Sequence, residues 1–255
     1  MKTPAKIIAI LNHKGGVGKT TTTVNIGAAL CLKGFRVLMI DLDPQANLTQ
    51  SLGLDKEQEG PNIYQALRGM IRELPVIAKK TGLDVVPSTL DLSAAEIELS
   101  NEISRESILK RLIEPMQDKY DYILIDCPPS LGILTINALV ASTGLIIPVQ
   151  AEFLATRGMT RIISIIEMVK TRLNDRLDII GVLLTRYDNR KILNRDIYDT
   201  IKELFQSDVF TNVIRDNVAL AEAPATGEDI FTYQPTSMGA ADYRNVCEEI
   251  LEKLK

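Results

Sequence analysis

The sequence predicts an α/β fold, a single-domain, mainly parallel twisted sheet with helices on both faces. Two features support this prediction. Short apolar runs rich in β-branched residues alternate along the chain with longer segments of helical periodicity. The runs are apolar at consecutive positions, which is typical of strands buried on both faces of a parallel sheet. The predicted strands are Lys6–Leu11, Arg36–Ile40, Leu83–Val86, Tyr122–Ile125, Leu145–Val149 and Ile179–Leu184.

Helical segments lie between these strands, as the crossover connections of a parallel sheet require. The run from Val246 to Leu254 has apolar residues at helical spacing with charged residues between them, which indicates an amphipathic C-terminal helix. The predicted crossover helices are Lys19–Lys33, Ser104–Met116, Leu131–Val140, Met159–Leu173 and Leu193–Phe205.

Length and composition favour one domain over residues 1–255. Hydrophobic residues make up 45% of the chain and charged residues 24%, and no change in composition marks a linker. The polar segment Asp55–Pro61 is predicted to be a loop that is too short to separate two domains.

Charge and residue composition exclude several classes of function. The net charge of −4 excludes a globally basic nucleic-acid coat, so any DNA contact must be a local patch. Three scattered cysteines and one histidine do not supply the ligands of a zinc site or an iron–sulfur cluster. No apolar run reaches the roughly 18 residues of a membrane span. These features favour the reducing cytoplasm and no stable membrane association.

A glycine-rich loop follows the first predicted strand and precedes the first helix. Its sequence, NHKGGVGKTT, covers residues 12–21. The glycines allow successive backbone N–H groups to converge on an anion at the positive end of the helix dipole. Lys19 is predicted to reach the β- and γ-phosphates of a nucleotide, and the Thr20 hydroxyl to bind Mg²⁺. His13 stands where an ordinary phosphate loop has its first glycine, and a second lysine, Lys14, precedes the glycines.

Acidic residues follow two of the predicted strands. Asp41 and Asp43 end the second strand, and Asp126 ends the fourth. Because parallel strands present their carboxyl ends at one edge of the sheet, these carboxylates are expected near a Mg²⁺–phosphate group. Residues two apart on a strand share a face, so Asp41 and Asp43 are both expected to face this site.

Three segments resemble the ParA/MinD class of ATPases, which carry a deviant Walker A loop. They are KGGVGKTT at residues 14–21, DLDPQANLTQSLGL at 41–54 and DCPPSLG at 126–132. The resemblance implies an ATP-sandwich homodimer, with ATP and Mg²⁺ as cofactors, in which Lys14 contacts the nucleotide of the partner protomer. It implies that Asp43 orients or activates the attacking water, with Lys14 and Lys19 as further catalytic residues. It assigns Mg²⁺ binding to Thr20, Asp41 and Asp126, and nucleotide binding to Lys14, Gly15, Gly16, Val17, Gly18, Lys19, Thr20 and Thr21.

The resemblance extends through GVLLTRYD at 181–188, EAP at 222–224 and GAADY at 239–243. It implies that Arg186 and Pro224 line the pocket for the nucleotide base. The glycine-rich loop begins near the first residue, as in the small, Soj-like members, so no N-terminal operator-binding domain is expected. In this class, basic residues of the C-terminal part contact DNA without sequence preference. The candidates in this chain are Arg190, Lys191, Arg195 and Arg215.

The function that the resemblance implies is a slow, partner-stimulated ATPase that acts as a switch for DNA segregation. ATP closes a homodimer on double-stranded DNA of the nucleoid, and a ParB-like protein triggers hydrolysis to ADP and phosphate. The alternative is a MinD-like ATPase that positions a non-DNA cargo or cycles on a membrane. Membrane cycling requires a basic amphipathic tail, whereas the last helix of this chain is rich in glutamate.

Overall fold

A computed structural model describes residues 4–54, 60–79, 82–152 and 158–255. This part of the chain contains a six-stranded sheet in the order β3-β2-β4-β1-β5-β6. All five pairs of neighbouring strands are parallel, which confirms the predicted fold class. The strands are β1 (Lys6–Ile10), β2 (Val37–Asp41), β3 (Leu83–Val86), β4 (Tyr122–Asp126), β5 (Gly144–Gln150) and β6 (Asp178–Thr185).

Each predicted strand lies within two residues of its observed bounds, because a strand buried on both faces must be apolar throughout. Side chains alternate between two cores on opposite faces of the sheet. On β1, Ile7 and Ala9 pack into one core, and Ile8 and Ile10 pack into the other. The polar segment Asp55–Pro61 falls mostly outside the described residues, which omit 55–59.

Helices cover both faces of the sheet, as predicted. Helices α3 to α8 contribute to the core that contains Ile7, and α1, α2 and α9 to α11 contribute to the core that contains Ile8. The helices are α1 (Lys19–Leu32), α2 (Asn47–Ser51), α3 (Ile63–Leu67), α4 (Leu92–Glu98), α5 (Ile108–Ile113), α6 (Ile133–Ala141), α7 (Met159–Arg172), α8 (Ile192–Phe205), α9 (Val218–Glu222), α10 (Ile230–Tyr233) and α11 (Met238–Lys253).

Two of the predicted helices differ from the structure. The segment predicted as one helix, Ser104–Met116, contains the α-helical residues of α5 between 3₁₀ turns at Arg105–Ser107 and Glu114–Met116. The second turn contains Pro115, which lacks the N–H needed to continue an α-helix. The C-terminal helix α11 begins at Met238, before the apolar repeat, because the Ser237 hydroxyl caps it by accepting a hydrogen bond from the Ala240 amide.

In the described ranges, no helix combines the length and the apolar character needed to cross a lipid bilayer.

Gly181 on β6 provides a test of the packing between the sheet and the segment after α8. A Cβ at Gly181 would lie only 2.6 to 2.9 Å from ring atoms of the fully buried Phe210. We therefore expect Gly181→Ala to lower the free energy of unfolding by about 1–3 kcal/mol through overpacking. Without this clash, alanine would be favoured over glycine in a strand. Urea denaturation measures the difference.

The matched comparison is the same substitution in a Phe210→Leu background, where the smaller side chain leaves room for the added methyl group. There the loss caused by Gly181→Ala is expected to be smaller. An equal loss in both backgrounds would contradict the packing described for Gly181.

Candidate functional site

Three central strands end together at one edge of the sheet. Asp126, the last residue of β4, is in register with Asp41 of β2 and with Ile10 of β1. The loop that follows β1 leads directly into α1 at Lys19. Ligands of parallel α/β sheets bind at the carboxyl edge of the strands, so the topology places the glycine-rich loop and the acidic residues at such a position.

The glycine-rich loop forms an open turn ahead of α1. Gly16 and Gly18 have φ of +74° and +89°, in the left-handed region that glycine adopts without steric cost. Within the described residues, a Cβ on Gly15 or Gly16 would meet no atom within 4 Å, so space remains above this backbone. Among the residues that the structure describes, no side chain caps the N-terminus of α1, which has 14 residues. An uncapped helix start of this kind favours an anion.

Lys19 and Asp126 are both buried beside this loop. The Lys19 side chain donates from Nζ to the carbonyl oxygen of Lys14 at 3.1 Å. Its pKa is lowered because burial disfavours the charged amine, although the charges of Asp126 and Asp43 oppose this shift. The pKa of Asp126 is raised, mainly by burial and then by the nearby Asp41. Each group is therefore pushed toward its neutral form.

Hydroxyl groups of α1 bind the Asp126 carboxylate. Thr20 donates from Oγ1 to Oδ2 of Asp126 at 2.6 Å, and Thr23 donates from Oγ1 to Oδ1 at 3.4 Å. The structure thus joins two residues that the sequence assigned to Mg²⁺, Thr20 and Asp126. Thr23 was not predicted, because its role depends on a contact between residues 103 positions apart.

Asp41 has a different environment from the one expected. Its Oδ2 accepts hydrogen bonds from the amide and the hydroxyl of Thr49, at 2.8 and 2.6 Å, and its Oδ1 accepts from the amide of Asp43. Burial outweighs these bonds and raises the pKa of Asp41 to about 6. In this structure the Asp41 carboxylate therefore holds the turn that carries Asp43 and the start of α2.

Asp43 was expected at the end of the second strand. In the structure β2 ends at Asp41, so Asp43 lies in the turn that follows it. Its Oδ1 accepts a hydrogen bond from the Gln45 amide at 2.9 Å. Burial raises the pKa of Asp43, and the charge of Lys19 opposes this shift. The fully buried Ser88 donates from Oγ to the carbonyl oxygen of Asp43 at 2.8 Å. Asp43 thus lies near the Lys19 amine on a turn that is fixed from two sides.

Lys14 lies at the exposed rim of the site. Its Nζ forms an ion pair with Oε2 of Glu152 at 2.6 Å, and both side chains are partly exposed. The hydrogen bond from Lys14 lowers the pKa of Glu152. Glu152 was not singled out from the sequence, because a lone glutamate after a strand has no distinguishing pattern.

His13 packs against the backbone at the start of α7, where a Cβ on Gly158 would overlap the imidazole ring. Burial and the charges of Arg161, Lys19 and Lys14 lower the pKa of His13. Within the described residues, its Nδ1 is buried without a hydrogen-bond partner.

A cavity of about 440 Å³ adjoins the glycine-rich loop. Thr185, at the end of β6, fixes one wall by donating a hydrogen bond from Oγ1 to the carbonyl oxygen of Val17 at 2.8 Å. Arg186, predicted for the base pocket, lines the cavity and forms an ion pair with Asp216 at 3.4 Å. Further lining residues are Thr21, Arg215, Asn217 and Tyr243.

The structure does not bring Pro224 to this cavity. Pro224 lies in the 3₁₀ turn Ala223–Thr226 and lines a separate cavity of about 10 Å³ with Val24 and Ser51. The reason is that the short helix α9 precedes this turn, so residues of α9, Val218 among them, face the larger cavity instead.

Two of the four DNA-contact candidates, Arg190 and Arg215, are already paired with carboxylates. The Arg190 guanidinium donates two hydrogen bonds to Asp188 and the Arg190 amide donates a third, and together they lower the pKa of Asp188 to about 2. Arg215 binds the buried Asp242, with Nη2 at 2.6 Å from Oδ1. Arg190 and Arg215 line a common surface cavity of about 530 Å³. Lys191 and Arg195 are exposed at the start of α8.

Comparisons with known proteins agree with this geometry. A family model described as an AAA domain matches residues 5–179, more than half of the chain. The sporulation initiation inhibitor protein Soj of Bacillus subtilis is 47% identical over 247 residues, covering 96% of this chain and 98% of Soj. The chromosome partitioning protein ParA of Caulobacter vibrioides is 41% identical over 257 residues, covering 98% of this chain and 95% of ParA.

Solved structures match over nearly the whole chain. Cobyrinic acid a,c-diamide synthase from Mycobacterium smegmatis, with a bound ATP analogue and magnesium, has a TM-score of 0.86 and 34% identity, covering 98% of this chain and 96% of that one. An ATP complex of a McdA variant from Cyanothece has a TM-score of 0.87 and 25% identity, covering 99% and 97%.

The parallel sheet, the glycine-rich loop before α1 and the acidic sheet edge define the nucleotide-binding fold of the P-loop proteins. Within that class, the chain belongs to the ParA/Soj family of partitioning ATPases.

The burial of Asp126 predicts how stability depends on pH. Because its pKa is raised in the folded state, the folded protein holds a proton that the unfolded chain has released between about pH 4 and the folded pKa. Asp41 acts in the same direction. The free energy of unfolding of the ligand-free protein should therefore fall as the pH rises through this window. Asp126→Asn should reduce that fall and stabilise the ligand-free protein at pH 8 by on the order of 1 kcal/mol or more.

Urea denaturation at a series of pH values checks this, with Asp196→Asn on the exposed surface of α8 as the control. An Asp126→Asn protein that is less stable than the wild type at pH 8 would contradict a raised pKa of Asp126 in the folded protein.

Proposed function

We propose that this chain is an ATP-dependent switch for DNA segregation. ATP closes a homodimer that binds duplex DNA without sequence preference, and a ParB-like partner stimulates hydrolysis and release. The observation that carries the proposal is a glycine-rich loop with two lysines, of which Lys19 lies near the buried carboxylates of Asp126 and Asp43, in a chain 47% identical to Soj over nearly its full length. The proposed location is the cytoplasm, on the nucleoid.

ATP and Mg²⁺ fit the residues at the sheet edge. The open backbone of Gly15 and Gly16 and the uncapped start of α1 suit phosphate oxygens, which the Lys19 amine also attracts. The Thr20 hydroxyl donates a hydrogen bond to Asp126, so the lone pairs of its oxygen remain available to a cation. Thr20 and Asp126 would bind Mg²⁺, and the ion would offset negative charge on the phosphates. The cavity beside Arg186 is the proposed place for the base and ribose.

The proposed hydrolysis is attack of water on the γ-phosphate, and it depends on positioning and electrostatics. Asp43 is suited to hold the water for two reasons. Its pKa is raised because burial leaves the carboxylate poorly solvated. Its backbone is fixed by hydrogen bonds with Asp41 and Ser88. Lys19 offsets charge on the phosphates from within the protomer. Lys14 is proposed to do so from the partner protomer, and its exposed pair with Glu152 costs little to exchange.

The proposed DNA surface lies around the start of α8. Asp188 and Asp242 neutralise part of the charge of Arg190 and Arg215. Lys191 and Arg195 are exposed, and we assign them the larger share of the phosphate contacts.

If Lys14 contacts the nucleotide of the partner protomer, two variants should differ in whether they dimerise with ATP. Lys14→Ala should bind ATP and remain a monomer, because the contact with the second nucleotide is lost. Asp43→Ala should form the dimer with ATP and lose hydrolysis by at least about 100-fold. Size-exclusion chromatography with light scattering, in ATP and in ADP, measures the assembly. A dimeric Lys14→Ala protein would refute the sandwich role.

The DNA surface predicts how binding depends on salt. Asp43→Ala protein with ATP should bind nonspecific duplex DNA, and protein with ADP or without nucleotide should not. Affinity should fall steeply with salt concentration, because phosphate contacts release counterions. Replacing Lys191 or Arg195 by alanine should weaken binding to all sequences and reduce the salt slope by about 1.

The matched control is Lys110→Ala on α5, which removes an exposed cation from another part of the surface. ATP-dependent dimers that fail to bind DNA would favour a switch that positions a different cargo. Binding that persists at high salt would contradict phosphate contacts as its basis.

A further inference from the structure

Glu96 of α4 reaches the loop that follows Asp126. This exposed glutamate accepts a hydrogen bond at Oε1 from the Ser130 hydroxyl at 3.3 Å. Its carboxylate also lies against the Cα of Gly132, where a Cβ would overlap the carboxylate oxygen. The two contacts connect α4 to Ser130 and Gly132, the residues on either side of Leu131.

Within the described residues, the loop between Pro128 and Gly132 is also held by α6, the helix that follows it. The carbonyl oxygen of Ser130 accepts a hydrogen bond from the Thr135 hydroxyl at 2.7 Å, which ties the loop to the first turn of α6. Gly132 is the residue before α6, and in the described part of the chain no side chain caps that helix through a hydrogen bond. A carboxylate near the start of a helix is favoured by the helix dipole, so the position of Glu96 is itself stabilised.

The loop is connected to the site at its other end. Asp126 lies two residues before Pro128 and accepts a hydrogen bond from the Thr20 hydroxyl, so a shift of the loop acts on the residues proposed to surround Mg²⁺ and the γ-phosphate. Glu96 itself lies on a different element and does not reach Asp126 in the described contacts. It can therefore influence the reaction only through the loop.

We infer that Glu96 is a positioning residue for ATP hydrolysis, in that its contacts with Ser130 and Gly132 hold the loop after Asp126 in the place that hydrolysis needs. This inference rests on the proposed ATPase function. It assigns to α4 an effect on the rate of hydrolysis that acts through the loop, with little effect on the binding of ATP.

The test compares four single variants of the full-length protein in steady-state ATP hydrolysis. Glu96→Ala should lower kcat about three- to tenfold, the range expected from the loss of one partly exposed hydrogen bond, with KM for ATP within about twofold. Glu96→Gln should retain most of the activity, because Oε1 still accepts from Ser130. Gly132→Ala should reproduce Glu96→Ala by displacing the carboxylate. Ile97→Ala, the exposed neighbour on α4, should behave as wild type.

Ser130→Ala completes a double-mutant cycle. It should lower kcat, and the double variant should lose no more than Glu96→Ala alone, because that variant already removes the hydrogen bond to Ser130. Equal kcat in Glu96→Ala and wild type, or additive losses in the double variant, would overturn the inference.

Hydrogen–deuterium exchange without nucleotide tests the contact independently of activity. Amides of residues 130–133 should exchange faster in Glu96→Ala than in wild type or Ile97→Ala. A wild type that does not hydrolyse ATP would contradict the proposed function, and the exchange rates would still decide whether Glu96 holds the loop. Unchanged exchange would overturn the inference in either case.

Discussion

The burial of opposite charges at the carboxyl edge of the central strands constrains the rest of this structure. Lys19 at the start of α1 and Asp126 at the end of β4 have little access to water, and burial shifts the pKa of each in the direction of the neutral form. Charged groups in such a place are costly unless a ligand or partner satisfies them. The same edge has an uncapped helix start and an open glycine backbone, which are suited to phosphate.

The contacts around this edge fall into two groups that differ in burial. Asp41, Thr49 and Ser88 are fully buried and fix the turn of Asp43 through hydrogen bonds of 2.6 to 3.2 Å. The ion pair between Lys14 and Glu152 is partly exposed and is therefore easy to exchange for another contact. The inner network suits a reaction that needs fixed positions, and the outer pair suits an interface that forms and dissociates.

The sequence predicted all six strands, because each contains a short run of mostly apolar, buried residues between segments of helical or polar character. It did not predict α2, α3, α4, α9 and α10, which have only four to seven residues, too few for helical periodicity to be visible. Capping residues were available as a signal for three of them, namely Asn62, Asn217 and Asp229.

The glycine-rich loop, Lys19, Thr20 and Asp126 were predictable because local sequence order determines their place on the sheet edge. The environments of Asp41, Arg215 and Pro224 were not, since they depend on Thr49, Asp242 and α9, and the sequence pattern does not encode those contacts. Glu96 and Glu152 were missed for the same reason, because each meets its partner across more than 30 residues of chain.

The most direct test of this site is whether Mg²⁺ and nucleotide together relieve the cost of the buried charges. Urea denaturation of the wild type would be measured with ATP and Mg²⁺, with ATP and EDTA, with Mg²⁺ alone and without additions. ATP with Mg²⁺ at about 100 times its Kd should raise the free energy of unfolding by about 2.7 kcal/mol, and either component alone should give much less. Equal stabilisation by ATP with and without Mg²⁺, or none in any condition, would contradict the assignment of this edge as the Mg²⁺–nucleotide site.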